Sequence, residues 1–200
     1  MKSLIIAFAI AATTLAACNG GNNTTTATSK KKGNAEPVAT VPVSEISAAQ
    51  TAAGNTEGSM KEMVGQYLQI KNALANDNRK DAAAAGNAFV ASMGKMEKTT
   101  LAAEKLKIWN DLSDDAKEMA EHIGMNGAKL DHQREHFDML SKDMYDMVKA
   151  FGSGQVLYKD FCPMYNKNKG AIWLSETKEI KNPYYGKDML TCGAVKETLQ

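Results

Sequence analysis

"LDHQREHFDMLSKDMYDMVKAF", residues 130–151, places a core-facing side chain at every third or fourth position. Leu130, Arg134, Phe137, Leu140, Met144, Met147 and Phe151 form one stripe. That spacing is the signature of a helix with one buried face, because 3.6 residues make a turn. "GMNG" (124–127) precedes the stripe and Gly152-Ser153-Gly154 ends it. Glycine past a helix end adopts backbone conformations that other residues resist.

The same period recurs upstream. Met60, Val64, Tyr67, Lys71 and Leu74 make one stripe, with the Lys71 stem laid along it. Ala82, Ala85, Phe89, Met93 and Met96 make a second after the polar break "NDNRKD". Trp109, Leu112, Ala116, Met119 and Ile123 make a third, in which Ser113-Asp114-Asp115 could cap a fresh start and split the helix. Four amphipathic helices with short links predict a mainly α fold, an up-down-up-down four-helix bundle. The tail, 155–200, has another texture. It holds "CPM", "NPYYG" and "CGA" turn contexts, Trp173 and Tyr158, Tyr165, Tyr184 and Tyr185. It is expected as an irregular segment folded back on the bundle, with "AIWLS" a short strand and room for a small hairpin.

The N-terminal end points to export. Lys2 is a minimal positive region, and residues 4–15 are apolar but too short to span a bilayer. Leu15-Ala16-Ala17-Cys18 looks like a bacterial lipobox, so residues 1–17 are expected as a lipoprotein signal peptide and Cys18 as the lipidation site. Once Lys2 leaves with the leader, the 24 basic residues fall by one and equal the 23 acidic ones. A neutral chain offers no electrostatic footprint for nucleic acid. Residues 18–57 are small, polar and free of aromatic side chains, and are expected as a lipid-anchored flexible tether. Lys30-Lys31-Lys32 within it is read as a solvated run. Residues 58–200 remain as one helical-bundle domain with its Cys/Met-containing tail.

Methionine is the compositional oddity, at 12 residues. Those on the stripes are core-filling side chains. Met164 and Met189 differ, since each lies beside a cysteine: Cys162-Pro163-Met164 and Met189-Leu190-Thr191-Cys192. A two-residue spacing in extended chain, or three on a helical turn, points both side chains one way. Thiolate and thioether together select soft ions such as Cu(I). The spacing leaves a Cys162–Cys192 disulfide equally open, since exported cysteines oxidise. That bridge would close about thirty residues and stabilise by about 3–4 kcal/mol.

His132 and His136 stand one turn apart, with Met139 and Asp143 continuing their line, and without a third ligand they read as polar surface histidines. His122, near a helix end, reads as a capping or dipole interaction. Catalysis lacks a constellation. No Glu-x-x-His, Cys-x-x-Cys, Gly-x-Ser-x-Gly or P-loop occurs. The chain is therefore expected not to be an enzyme.

The tail also carries a resemblance. Tyr158, Cys162-Pro163-Met164, Trp173-Leu174-Ser175, Ile180, Asn182-Pro183-Tyr184-Tyr185-Gly186, Met189-Leu190 and Cys192-Gly193 resemble a domain of unknown function. That domain is found at the C-terminal end of membrane-fusion adaptors of copper/silver efflux pumps, and alone in bacterial exported proteins and lipoproteins. "AEHI" (120–123), "HQREHFDMLS" (132–141) and "VGQYLQIKNALANDN" (64–78) are similar to it as well, so the resemblance spans about residues 60–196. The adaptors' coiled-coil hairpin, lipoyl-like and barrel modules have no counterpart in these 200 residues. The resemblance thus implies a tethered module that binds or passes soft metal, Cu(I) or Ag(I), rather than a pump-building subunit. The metal set it implies is Cys162, Met164, Met189 and Cys192, completed by His122 or His136, with Trp173 either over the ion or closing the core. The expected setting is a bacterial envelope membrane, facing the periplasm, with a heavy-metal efflux component as partner. The alternative is a non-catalytic module whose disulfide-stapled tail docks such a component.

Overall fold

The computed structural model describes residues 43–200. The leader, Cys18, the lysine triplet and the rest of residues 1–42 lie outside the described residues. Among the described residues four helices of seven or more residues precede a three-stranded antiparallel sheet. Helix α1 (Val43–Ala75) begins inside the stretch read as tether. Helix α2 spans Arg79–Met93, α3 Ala103–Met125 and α4 Leu130–Phe151. Consecutive helices pack on one another, and α4 also packs on α1. No helix among the described residues is long and apolar enough to cross a membrane.

Each boundary has a local cause. Asp77 takes φ 57° between α1 and α2, and the Asn78 side chain then accepts from the Asp81 N–H at 3.2 Å. That bond satisfies an otherwise orphaned first-turn donor of α2. Helix α3 runs unbroken through Ser113-Asp114-Asp115, where the sequence left a split open. Trp109, Ser113 and Ala116 are all buried, so the core-facing stripe passes straight through and leaves no reason for a new start. Helix α4 stops at Gly152, at φ 85°. Helices α2 and α3 cross closely because Gly86 and Gly124 face the contact. A Cβ at Gly86 would lie 2.9 Å from the Ala120 carbonyl oxygen.

The core joins all four stripes, with Met60, Tyr67, Phe89, Trp109, Ile123, Phe137, Leu140 and Met144 buried. Arg134 is one of two charged residues among the stripe positions. Its Nε donates to the Pro183 carbonyl at 2.9 Å and its Nη2 pairs with Asp77 Oδ1 at 2.6 Å. One buried guanidinium therefore ties α4 to the α1–α2 turn and to the tail. Lys71 is likewise buried, on Glu176 at 2.7 Å. Burial holds its ammonium below the usual lysine range, against the pull of Glu176.

The tail is a sheet, where an irregular segment was expected. Strands β1 (Leu157–Cys162), β2 (Ala171–Ser175) and β3 (Ala194–Leu199) lie in the order β2-β1-β3. The "AIWLS" strand is present as expected, and with β1 it makes the small hairpin for which the reading left room; the extent of β1, and β3 altogether, were not foreseen. "LYKDFC" and "AVKETL" carry charges at positions that pairing, not side-chain alternation, decides. The β1–β2 hairpin turns through Asn166, Lys167 and Asn168, all at positive φ, and Gly170 at φ 82°. The sheet lies against α4 and α1. Tyr67 links the layers, its hydroxyl 2.8 Å from Ser141 Oγ of α4 and accepting from the Leu174 N–H of β2 at 3.0 Å.

Candidate metal centres

Strand register assembles the sulfur cluster. Phe161 of β1 pairs with Ala194 of β3 in antiparallel sense, so the last residue of β1 and those after it meet the residues just before β3. Cys162 and Cys192, thirty positions apart, consequently face each other with Sγ atoms 3.7 Å apart. Both thiols are free. Met164 Sδ lies 3.8 Å from Cys192 Sγ. Sulfurs around a three-coordinate ion, with metal–sulfur bonds of about 2.3 Å, stand about 4 Å apart. A disulfide needs about 2.05 Å. Cys162 is buried, Cys192 half-buried and Met164 45% exposed, so the three sulfurs lead from core to solvent. Burial beside the Cys162 thiol pushes the Cys192 thiol up.

"NPYYG" holds this arrangement from behind. The buried Asn182 donates through Nδ2 to the Cys192 carbonyl at 2.7 Å, and its N–H donates to the Leu190 carbonyl at 2.7 Å. Its Oδ1 accepts from the Tyr184 N–H at 2.8 Å. The Tyr185 hydroxyl donates to the Met164 carbonyl at 3.1 Å. Thus one loop fixes the backbone of two of the three sulfur residues. Met189 joins through its carbonyl, which accepts from the Cys192 N–H at 3.0 Å. Trp173 is fully buried, edge-on to Tyr184 at 5.9 Å, in the core beneath Gly193. A Cβ at Gly193 would lie 2.8 Å from the indole, so only glycine lets the Cys192 turn sit down on it.

The histidines gather elsewhere. Each of His122, His132 and His136 offers a ring nitrogen within 4.8 Å of the others', a donor group that includes neither cysteine. His122 comes from α3, and His132 and His136 come from successive turns of α4. His136 Nε2 and His132 Nε2 are 3.1 Å apart, and the rings of His122 and His136 stack at 4.4 Å. Met119 Sδ lies 3.3 Å from His136 Nδ1. Burial, with His122 and His132 beside it, holds His136 below the usual histidine range. The expected set is therefore divided: Cys162, Met164 and Cys192 converge, whereas His122 and His136 converge with His132. His132, expected as a surface residue, and Met119, expected as core, both belong to this second group. The i,i+4 pair is visible in the sequence; its third member is supplied by the packing of α3 on α4.

A third polar cluster lies under the sheet. Asp160 of β1 is 0% exposed, and neither carboxylate oxygen has a hydrogen-bond partner among the described residues. Burial pushes its carboxyl up to about 7, although Lys71 opposes this. Burial also pushes Glu176 up, but hydrogen bonds from Asn72 and Lys71 outweigh it and hold Glu176 below the usual range.

Residues 63–156 match a family model described as a protein of unknown function (DUF3347). That stretch, just under half of the chain, is similar to a domain of unknown function. The matched region contains Met119 and all three histidines, and it ends just before β1. The sulfur cluster, on which the resemblance to efflux adaptors leaned, lies beyond it. No curated protein and no solved structure matches the chain.

Proposed function

We propose that this chain is a lipid-anchored exported protein that binds or passes soft metal ions, Cu(I) or Ag(I), in heavy-metal resistance or homeostasis. The carrying observation is the convergence of Cys162, Met164 and Cys192, with sulfurs 3.7 and 3.8 Å apart. Two thiols and a thioether suit a soft monovalent ion and poorly suit a hard one. Binding would release thiol protons, so affinity would rise with pH. The gradient from buried Cys162 to exposed Met164 suits uptake and release, with Met164 as the outermost ligand. The role is binding rather than catalysis, and an efflux component is the partner. The lipobox at Cys18 supports an anchor in a bacterial envelope membrane, facing the periplasm, and short inter-helix links support an up-down-up-down bundle.

Cu(I) titration of the reduced chain against a competing chelator tests the reading. One equivalent should bind, at least tenfold more weakly in Cys162→Ser/Cys192→Ser. Unchanged affinity in that variant rejects the site. The facing thiols also favour a second reading, a disulfide-stapled module that docks a partner. Thiol counting on periplasmic protein separates the two: two free thiols with retained metal support the first, and a quantitative disulfide without metal supports the second.

A further inference from the structure

We propose that His122, His132 and His136 form a second metal site, independent of the sulfur cluster, for a divalent late transition ion such as Zn(II), Ni(II) or Cu(II). Imidazole is the ligand such ions share, and three of them leave a further coordination position for solvent or an exogenous group.

The ring orientations carry the argument. His136 presents Nδ1 to Met119 Sδ at 3.3 Å, and His132 presents Nδ1 to Glu135 Oε2 at 3.3 Å. Sulfur and carboxylate are acceptors there, so each ring, when neutral, places its proton on Nδ1 and its lone pair on Nε2. Those two Nε2 atoms then meet 3.1 Å apart with no proton between them. Two facing lone pairs repel unless a cation lies beside both. Two nitrogens on a tetrahedral ion, at bonds of about 2.0–2.1 Å, stand about 3.3 Å apart. The His132–His136 pair is therefore already near ligand spacing. An outer carboxylate on the far ring nitrogen is the usual support for a histidine ligand, since it fixes the tautomer and raises basicity. Glu135 supplies one for His132, and Glu118 Oε1 lies 3.7 Å from Nε2 of His122.

Position and access fit as well. Two ligands rise from successive turns of α4 and the third from α3, both well-packed helices, and such sites are more exact than sites on loops. Close approach of α2 and α3 at Gly86 and Gly124 fixes the end of α3 that bears His122. His136 is buried, while the side chains of His132 and His122 are 40% and 39% exposed. The half-buried His122 keeps its ring nitrogen within 4.8 Å of those of His132 and His136. The bland alternative, a hydrogen-bonded imidazole stack, puts a proton on one Nε2. With both rings neutral, it thereby turns a lone pair toward Met119 or Glu135; only an imidazolium avoids this.

The test is a Zn(II) titration of the untagged full chain, repeated in Cys162→Ser/Cys192→Ser. One equivalent should bind in both, and the loss of Cu(I) binding in the second leaves this result standing. His132→Ala should weaken Zn(II) at least tenfold. Glu135→Gln, which keeps all three ligands, should weaken it several-fold. Cu(II) on the chain should show superhyperfine coupling to coordinated nitrogen. Circular dichroism checks that each variant folds, and the exposed His132 makes its variant the deciding one. Equal Zn(II) affinity in parent and His132→Ala, or no Zn(II) uptake in the cysteine-free chain, overturns the proposal.

Discussion

Asp160→Asn should turn a pH-dependent weakness of the fold into a flat profile. The carboxyl is fully buried, lacks a hydrogen-bond partner among the described residues, and has its pKa raised from 3.8 to about 7. A tenfold change in a proton-binding constant is worth about 1.4 kcal/mol of difference between the two protonation states. The rise at Asp160, which already includes the opposing Lys71 ammonium, therefore corresponds to about 4 kcal/mol at full ionisation. The sign follows from proton counting. A raised native pKa means the folded chain binds more protons than the unfolded one, so stability is present below about pH 4. It is lost as pH rises through about 7. Asparagine removes the titration but leaves a buried amide with donors to satisfy, at a cost of about 1–3 kcal/mol. The variant should thus be less stable than wild type at pH 4.5 and equal or more stable at pH 8. Urea unfolding at pH 4.5, 6 and 8 measures this directly. The difference between the two proteins cancels every other titrating group. Parallel wild-type and variant profiles across that range would refute a neutral, unpartnered Asp160.

Arg134→Met removes the guanidinium that joins Asp77, Leu74 and Pro183, and leaves Asp77 with only the Lys187 N–H. It should cost about 2–3 kcal/mol in chemical denaturation, since Asp77 is 31% exposed and regains water; a loss below about 1 kcal/mol would show the anchor to be redundant. Gly186→Ala forces a Cβ at φ 54° to within 2.5 Å of Arg134 Nη2. A loss of about 2 kcal/mol or more is expected, and it should be non-additive with Arg134→Met because both break one contact. Asp143 is pushed up to about 6 by burial and by Asp115 and Asp146. It is half-buried, so after screening Asp143→Asn should stabilise by at most about 1 kcal/mol at pH 8 and by nothing at pH 4. Thermal melts at the two pH values check it, and equal gains at both would exclude charge as the cause.

The four helices were legible because each has an apolar stripe with the period of the helix itself. Lys71 and Arg134 could be placed on those stripes, but not their partners. Glu176 and Asp77 lie far from them in sequence, and only packing shows that both cations are buried and satisfied. Strands β1 and β3 escaped because "LYKDFC" and "AVKETL" do not alternate cleanly. Asp160 points inward, and its neighbours are set by the partner strand. The proposed metal residues divide along the same line. Residue type marked Cys162, Met164, Met189 and Cys192 as soft ligands, and local spacing marked His132 and His136 as a pair. Which of them meet is a property of the assembled fold. Antiparallel register between β1 and β3 carries Cys192 to Cys162. The packing of α3 on α4 carries His122 to His132 and His136. Helix faces are encoded within one turn of chain, whereas contacts across thirty residues, or between helices, exist only once the backbone between them has been placed.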